Sequence, residues 1–124
     1  MGNVKKILIV DDEKLVVQAL TQKLQEAGFS TDAAYDGEEA LSKVNQAKPD
    51  LILLDIIMPK LDGISMLKRL KADEKTKDIP VIILTNLYSD KKVVEALESG
   101  GTDYLIKVDY TLPEIVEQIR KKLQ

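Results

Sequence analysis

Chemistry in this chain can be built from Asp11, Asp12, Asp55, Thr85 and Lys107. Each of these positions directly follows a short apolar run. Ile7–Val10 leads into Asp11 and Asp12, Leu51–Leu54 into Asp55, Val81–Leu84 into Thr85, and Tyr104–Ile106 into Lys107. Runs of this kind suit strands buried on both faces of a parallel sheet. In an open α/β sheet, ligands bind beyond the carboxyl ends of the strands. Residues far apart in sequence are therefore expected to meet in one crevice as three carboxylates, a hydroxyl and an ammonium. Taken singly, each has an ordinary explanation. An Asp pair ahead of a helix is usually a cap and a first-turn acid, and an Asp after a strand is a loop residue. A Thr there bonds its own backbone, and a lone Lys is solvated. The combination is harder to explain in that way, because like charges repel by about 4 kcal/mol per close pair at an effective dielectric of about 20. A fold avoids such crowding unless a cation sits among the carboxylates.

An all-oxygen ligand set, in a chain with no His and no Cys, selects a hard divalent ion, and an open crevice suits Mg²⁺. Such an ion beside a carboxylate, a lysine and a hydroxyl makes a site for a phosphoryl group. There is no His, no Cys and no GxxxxGK[ST] loop, so a carboxylate is the natural acceptor and an aspartyl phosphate the product. Asp55 is the best candidate because it ends the central run, which leaves Asp11 and Asp12 as the metal-binding pair.

The rest of the chain must hold these residues in place. It has 124 residues, 18 basic and 21 acidic side chains, and a net charge of −3. Without linker or low-complexity tract, it reads as one domain over 1–124, with no output domain expected after the last helix. The lack of Cys and His excludes disulfides, zinc-thiolate sites and Ser-His-Asp catalysis. No apolar run approaches the roughly 18 residues of a membrane span, and Ile7–Val10 is too short for a secretory signal. The expectation is a soluble cytoplasmic domain, with no membrane association and no direct nucleic-acid ligand. Helical spacing follows each run: Val16, Leu20, Leu24 and Ala27 before Gly28; Ala40, Leu41 and Val44; Ile64, Leu67 and Leu70; Val93, Ala96 and Leu97. The last helix carries Leu112, Ile115, Val116, Ile119 and Leu123 and opens on a Thr111-x-x-Glu114 capping box. Together with a weaker run at Ser30–Ala34, this is (βα) five times over, the doubly wound α/β class.

These residues resemble the receiver domain of two-component response regulators, the family that includes chemotaxis regulators. The likeness rests on Ile9-Val10-Asp11-Asp12-Glu13, on Leu53-Leu54-Asp55-Ile56-Ile57-Met58-Pro59 with Asp62-Gly63, on Ile83-Leu84-Thr85, and on Tyr104-x-x-Lys107. It covers the whole chain. The resemblance implies a flavodoxin-like five-stranded parallel sheet in the order 2-1-3-4-5. It implies a phosphorylation-activated switch in a two-component or phosphorelay system, not an enzyme in the usual sense. Asp55 would accept the phosphoryl group from a histidine kinase or histidine phosphotransfer protein. Asp12, Asp55 and the Ile57 main-chain carbonyl would ligate Mg²⁺, with Asp11 acting largely through water. Lys107 would pair with the phosphoryl oxygens, while Thr85 and Tyr104 would shift together. A downstream protein would read the face formed by the fourth helix, fifth strand and fifth helix.

One departure stands out: the family usually has proline after the lysine, through a cis bond, where this chain has Val108. A cis bond without proline costs about 3–4 kcal/mol, so a trans peptide, or a strained cis one, is expected. Ile57 and Leu87 are apolar where water could be held for attack on the acyl phosphate, which predicts slow self-dephosphorylation. Leu15, Gln18, Ala19 and Gln22 form a second stripe on the first helix, suited to docking on a kinase helix pair. Three other activities fit less well. An aspartate-nucleophile phosphatase typically has a second Asp where Ile57 stands. A flavin carrier needs a hydroxyl- and glycine-rich first loop, and nucleotide hydrolysis needs a phosphate loop. The alternative that stands is a phosphorylation-independent interaction module of the same fold.

Overall fold

The computed structural model describes residues 4–124. Strands β1 (Lys6–Val10), β2 (Ser30–Ala34), β3 (Leu51–Leu54), β4 (Val81–Thr85) and β5 (Asp103–Ile106) alternate with five helices. These are α1 (Lys14–Glu26), α2 (Gly37–Gln46), α3 (Gly63–Ala72), α4 (Asp90–Glu98) and α5 (Leu112–Leu123). All strand pairs are parallel, and the sheet order is β2-β1-β3-β4-β5, as expected for a doubly wound, flavodoxin-like fold. A one-turn 3₁₀ helix, Lys107–Asp109, joins β5 to the loop before α5. No helix among the described residues is long and apolar enough to cross a membrane.

Successive strand side chains point to opposite faces, and the two faces pack different helices. Leu8, Val10, Ile52, Leu54 and Ile83 meet α2, α3 and α4 through Ala40, Val44, Met66, Leu67, Leu70 and Ala96. Ile7, Ile9, Leu51, Leu53, Ile82 and Leu84 meet α1 and α5 through Val17, Leu20, Leu24, Ile115 and Ile119. On α1, Val17 is buried and Val16 only partly so, a one-residue rotation of the expected stripe. On α4 only Ala96 is buried, whereas Leu97 is 44% exposed, so this helix presents part of its apolar stripe to solvent. Hydrophobic periodicity alone does not say which of two neighbouring apolar residues faces the sheet.

Four helices begin on a side-chain cap. Asp36 accepts from the Glu39 N–H, Asp62 from Ser65, Ser89 from Lys92, and Thr111 from Glu114 in a full capping box. Helix α1 does not. Its N-cap residue is Glu13, which makes no capping bond. The ordinary explanation for the Asp pair, helix capping, is therefore not what Asp11 and Asp12 do. Gly63 opens α3 directly against β3. A Cβ there would lie 2.8 Å from the Ile56 Cα and would also meet the Asp55 carbonyl oxygen. Only a residue without a side chain lets α3 start this close to the Asp55 backbone.

Candidate functional site

Sheet register brings the strand ends together. Val10 pairs with Leu54, and the Asp55 N–H donates to the Val10 carbonyl at 2.9 Å, so Asp11 and Asp55 leave adjacent strands side by side. Thr85 pairs with Ile106, which puts Lys107 just beyond the end of β4. Asp12, Glu13, Asp55, Ile57, Thr85, Asn86 and Lys107 line one cavity of about 270 Å³.

Asp11, Asp12 and Asp55 each offer a carboxylate oxygen within 4.8 Å of the others. Asp11 and Asp55 are buried, and Asp12 is exposed at the lip. The Lys107 ammonium lies among the acids, with Nζ 2.7 Å from Asp11 Oδ2, 3.0 Å from Glu13 Oε1 and 3.1 Å from Asp55 Oδ2. Burial opposes the ammonium charge. Its hydrogen bonds to Asp11 and Glu13, with the fields of Asp55 and Asp11, outweigh that and raise its pKa above the ordinary lysine value. Burial likewise pushes the Asp11 carboxyl up, and the Lys107 and Glu13 N–H bonds reverse this only in part. A buried carboxyl so placed favours a neighbouring cation.

Asp11 Oδ1 accepts the Glu13 N–H at 2.9 Å while Oδ2 faces Lys107, so both oxygens already have partners. Asp55 Oδ1 accepts the Ile57 N–H at 3.3 Å. Thr85 is fully buried, and its hydroxyl accepts the Leu87 N–H at 3.2 Å. The Tyr104 hydroxyl donates to the Leu87 carbonyl, so the two expected switch residues are bonded to the same loop residue. Burial, then the Asp55 charge, raises the Tyr104 pKa and keeps the phenol neutral. The Lys107–Val108 peptide is trans, as are all those described. A trans bond therefore does not keep Lys107 from Asp55.

Two residues in this arrangement were not among the expected site residues. Glu13 lies in the Asp-Asp-Glu motif, but that its carboxylate reaches across to Lys107 depends on a side-chain conformation that spacing does not reveal. Asn86 follows Thr85 and accepts the Val108 N–H on Oδ1 at 3.1 Å.

The family described as "Response regulator receiver domain" matches residues 7–120. The chain belongs to that family. Among curated relatives, this receiver domain is 44% identical over 103 residues to the alkaline phosphatase synthesis transcriptional regulatory protein PhoP of Bacillus subtilis. That match covers 83% of the chain and 42% of the regulator. It is 36% identical over 119 residues to the DNA-binding dual master transcriptional regulator RpaA of Synechocystis, covering 96% and 49%. The receiver domain thus spans about half the length of the curated relatives it matches. Among solved structures it is similar to the Francisella response regulator 1452 receiver domain, at 38% identity and TM-score 0.86, covering 97% of this chain and 99% of that one. The Vibrio cholerae chemotaxis protein CheY4 is similar at 30% identity and TM-score 0.89, covering 96% and 98%. The receiver domain is accordingly a signalling module of the response regulator type, consistent with a phosphorylation-activated switch.

Proposed function

We propose that this receiver domain is switched by transfer of a phosphoryl group to Asp55 from a histidine on a partner kinase or phosphotransfer protein. One Asp55 carboxylate oxygen bonds to phosphorus as the phosphorus–nitrogen bond breaks, and the imidazole nitrogen leaves with the electron pair. The observation that supports this best is Lys107 Nζ standing 3.1 Å from Asp55 Oδ2, beside carboxylate oxygens gathered within 4.8 Å. The oxygen-only donor set fits Mg²⁺. Asp12, Asp55 and the Ile57 main-chain carbonyl would hold the ion, with Asp11 acting largely through water. When bound, the ion offsets charge on the phosphoryl oxygens. Lys107 would pair with the phosphoryl oxygens as well, and Thr85 gives up the Leu87 N–H to donate its own hydroxyl proton to a phosphoryl oxygen. Release of Leu87 frees the loop that Tyr104 also holds. The change then reaches the α4–β5–α5 face, where Val94 and Leu97 are exposed for a downstream protein. Incubation with acetyl phosphate and Mg²⁺ is expected to add one phosphoryl mass that is stable to acid, labile to base and absent in EDTA. No adduct would leave the phosphorylation-independent interaction module as the better account.

Kinase docking is assigned to α1. Leu15 is 80% exposed and, with Val16, Ala19, Leu84, Tyr110 and Ile115, lines an apolar cavity of about 290 Å³ that also touches Lys107. Leu15→Glu is expected to slow transfer from the partner kinase at least about tenfold while leaving uptake from acetyl phosphate unchanged. Equal kinase rates would remove this face from the account. Ile57 lines the acid crevice at 58% exposure, whereas Leu87 is partly buried against the core cluster that holds Leu54, Ile83 and Ala96. Ile57 is thus the residue placed to keep an attacking water from being held. Ile57→Asn should shorten the lifetime of the phosphorylated form about threefold or more, and an unaltered lifetime would refute the idea.

A further inference from the structure

The Lys107 ammonium meets Asp11, Glu13 and Asp55, while little main-chain structure holds the Lys107–Val108 peptide from which its side chain starts. Before it, Ile106 closes the β4–β5 ladder opposite Thr85. After it, the Tyr110 N–H donates to the Lys107 carbonyl over a long 3.3 Å. Packing does not anchor the turn, because the Val108 side chain is 79% exposed. Besides the ion pairs of the Lys107 side chain, the turn is held by the Val108 N–H, which donates to Asn86 Oδ1 at 3.1 Å. Among the described residues, this is the one side-chain hydrogen bond to the Lys107–Asp109 turn backbone. It exists because position 108 carries an N–H, which a proline would lack. Asn86 immediately follows Thr85 and lines the same cavity as Asp55 and Lys107.

We infer that Asn86 is a positioning residue: by holding the Val108 N–H it fixes the Lys107–Val108 peptide, and through it the reach of the ammonium to Asp55. It joins the exit of β4 to the exit of β5, so the loop that follows Thr85 and the turn bearing Lys107 are tied by one bond. The inference rests on Asp55 being the phosphoacceptor, and the experiment separates the two claims.

The probe is beryllium fluoride with Mg²⁺, a non-transferable stand-in for the phosphoryl group, titrated into the wild type, Asn86→Ala and Asn86→Leu. The same Asn86 substitutions are also made in a Lys107→Met background, and Val108 amide exchange is followed by NMR. Loss of one hydrogen bond predicts that the Val108 amide exchanges about tenfold faster and that beryllium fluoride binds about three- to tenfold more weakly in both Asn86 variants. If Asn86 acts through Lys107, the same substitutions cause no further weakening in Lys107→Met. Val108→Ala keeps the N–H and should bind as the wild type does. Weakening of equal size in both backgrounds, or no weakening at all, overturns the inference. If the wild type itself neither binds beryllium fluoride nor takes a phosphoryl group, the reading of Asp55 fails instead.

Discussion

Asp55→Asn is expected to acquire no phosphoryl mass from acetyl phosphate and Mg²⁺ under conditions where the wild type is modified to completion. An amide oxygen is a far weaker nucleophile than a carboxylate, and the neighbouring acids do not replace it. Asp55 follows the central strand β3, whereas Asp11 follows β1 and Asp12 stands exposed at the lip. The substitution preserves shape and leaves Lys107 paired with Asp11 and Glu13. It also removes one of three crowded negative charges, so the thermal midpoint in EDTA should be no lower than that of the wild type. Intact-mass spectra and thermal melts check both halves. A phosphoryl mass that persists in the variant would move the acceptor to another side chain and refute the assignment.

Lys107→Met carries the largest expected cost in stability. Asp11 and Asp55 are 3% and 5% exposed, and Lys107 is the ammonium that both of them meet. Removing one member of a buried charge cluster leaves the others without compensation, at a cost of about 3 kcal/mol or more. The sign with pH is fixed by the raised Lys107 pKa. The contribution is fully present below the ordinary lysine value and is lost only as pH rises through the higher value in the fold, so at neutral pH the whole effect is seen. Urea unfolding in EDTA should show the full loss. Millimolar Mg²⁺ should reduce it, because a cation that binds only the folded carboxylates stabilises the fold by mass action. The same loss with and without Mg²⁺ would mean that the acids do not form a cation site.

The central strands were legible because β1, β3 and β4 are buried on both faces, and their sequences are almost unbroken runs of Ile, Leu and Val. The strands β2 and β5 were weaker signals for the corresponding reason. Ser30–Ala34 and Asp103–Ile106 are mostly half-buried and carry polar residues. Strand order came only with the family likeness, since periodicity says nothing about which strands pair. That Asp11, Asp12, Asp55, Thr85 and Lys107 meet in one crevice was legible from their place at strand ends, because a parallel sheet puts all those ends at one edge. The hydrogen bonds that complete the crevice were not. Glu13 and Asn86 enter through the conformations of flexible side chains, and α1 lacks the cap that an Asp pair before a helix would normally supply. Asp11 and Asp12 leave α1 uncapped and cluster with Asp55 in the crevice instead, a departure from the local rule of the kind that marks candidate functional sites.

The position of β5 at the margin of the sheet bears on how a signal could leave the crevice. Among the described residues it is bonded to β4 on one side and to no strand on the other, yet it carries Tyr104 and delivers Lys107. A displacement there disturbs a single ladder and leaves β1, β3 and β4 undisturbed as a rigid chassis. On the switch proposed above, the strand that carries Tyr104 and Lys107 is thus one whose displacement breaks a single ladder, which gives strain introduced near position 55 an outlet along that rim.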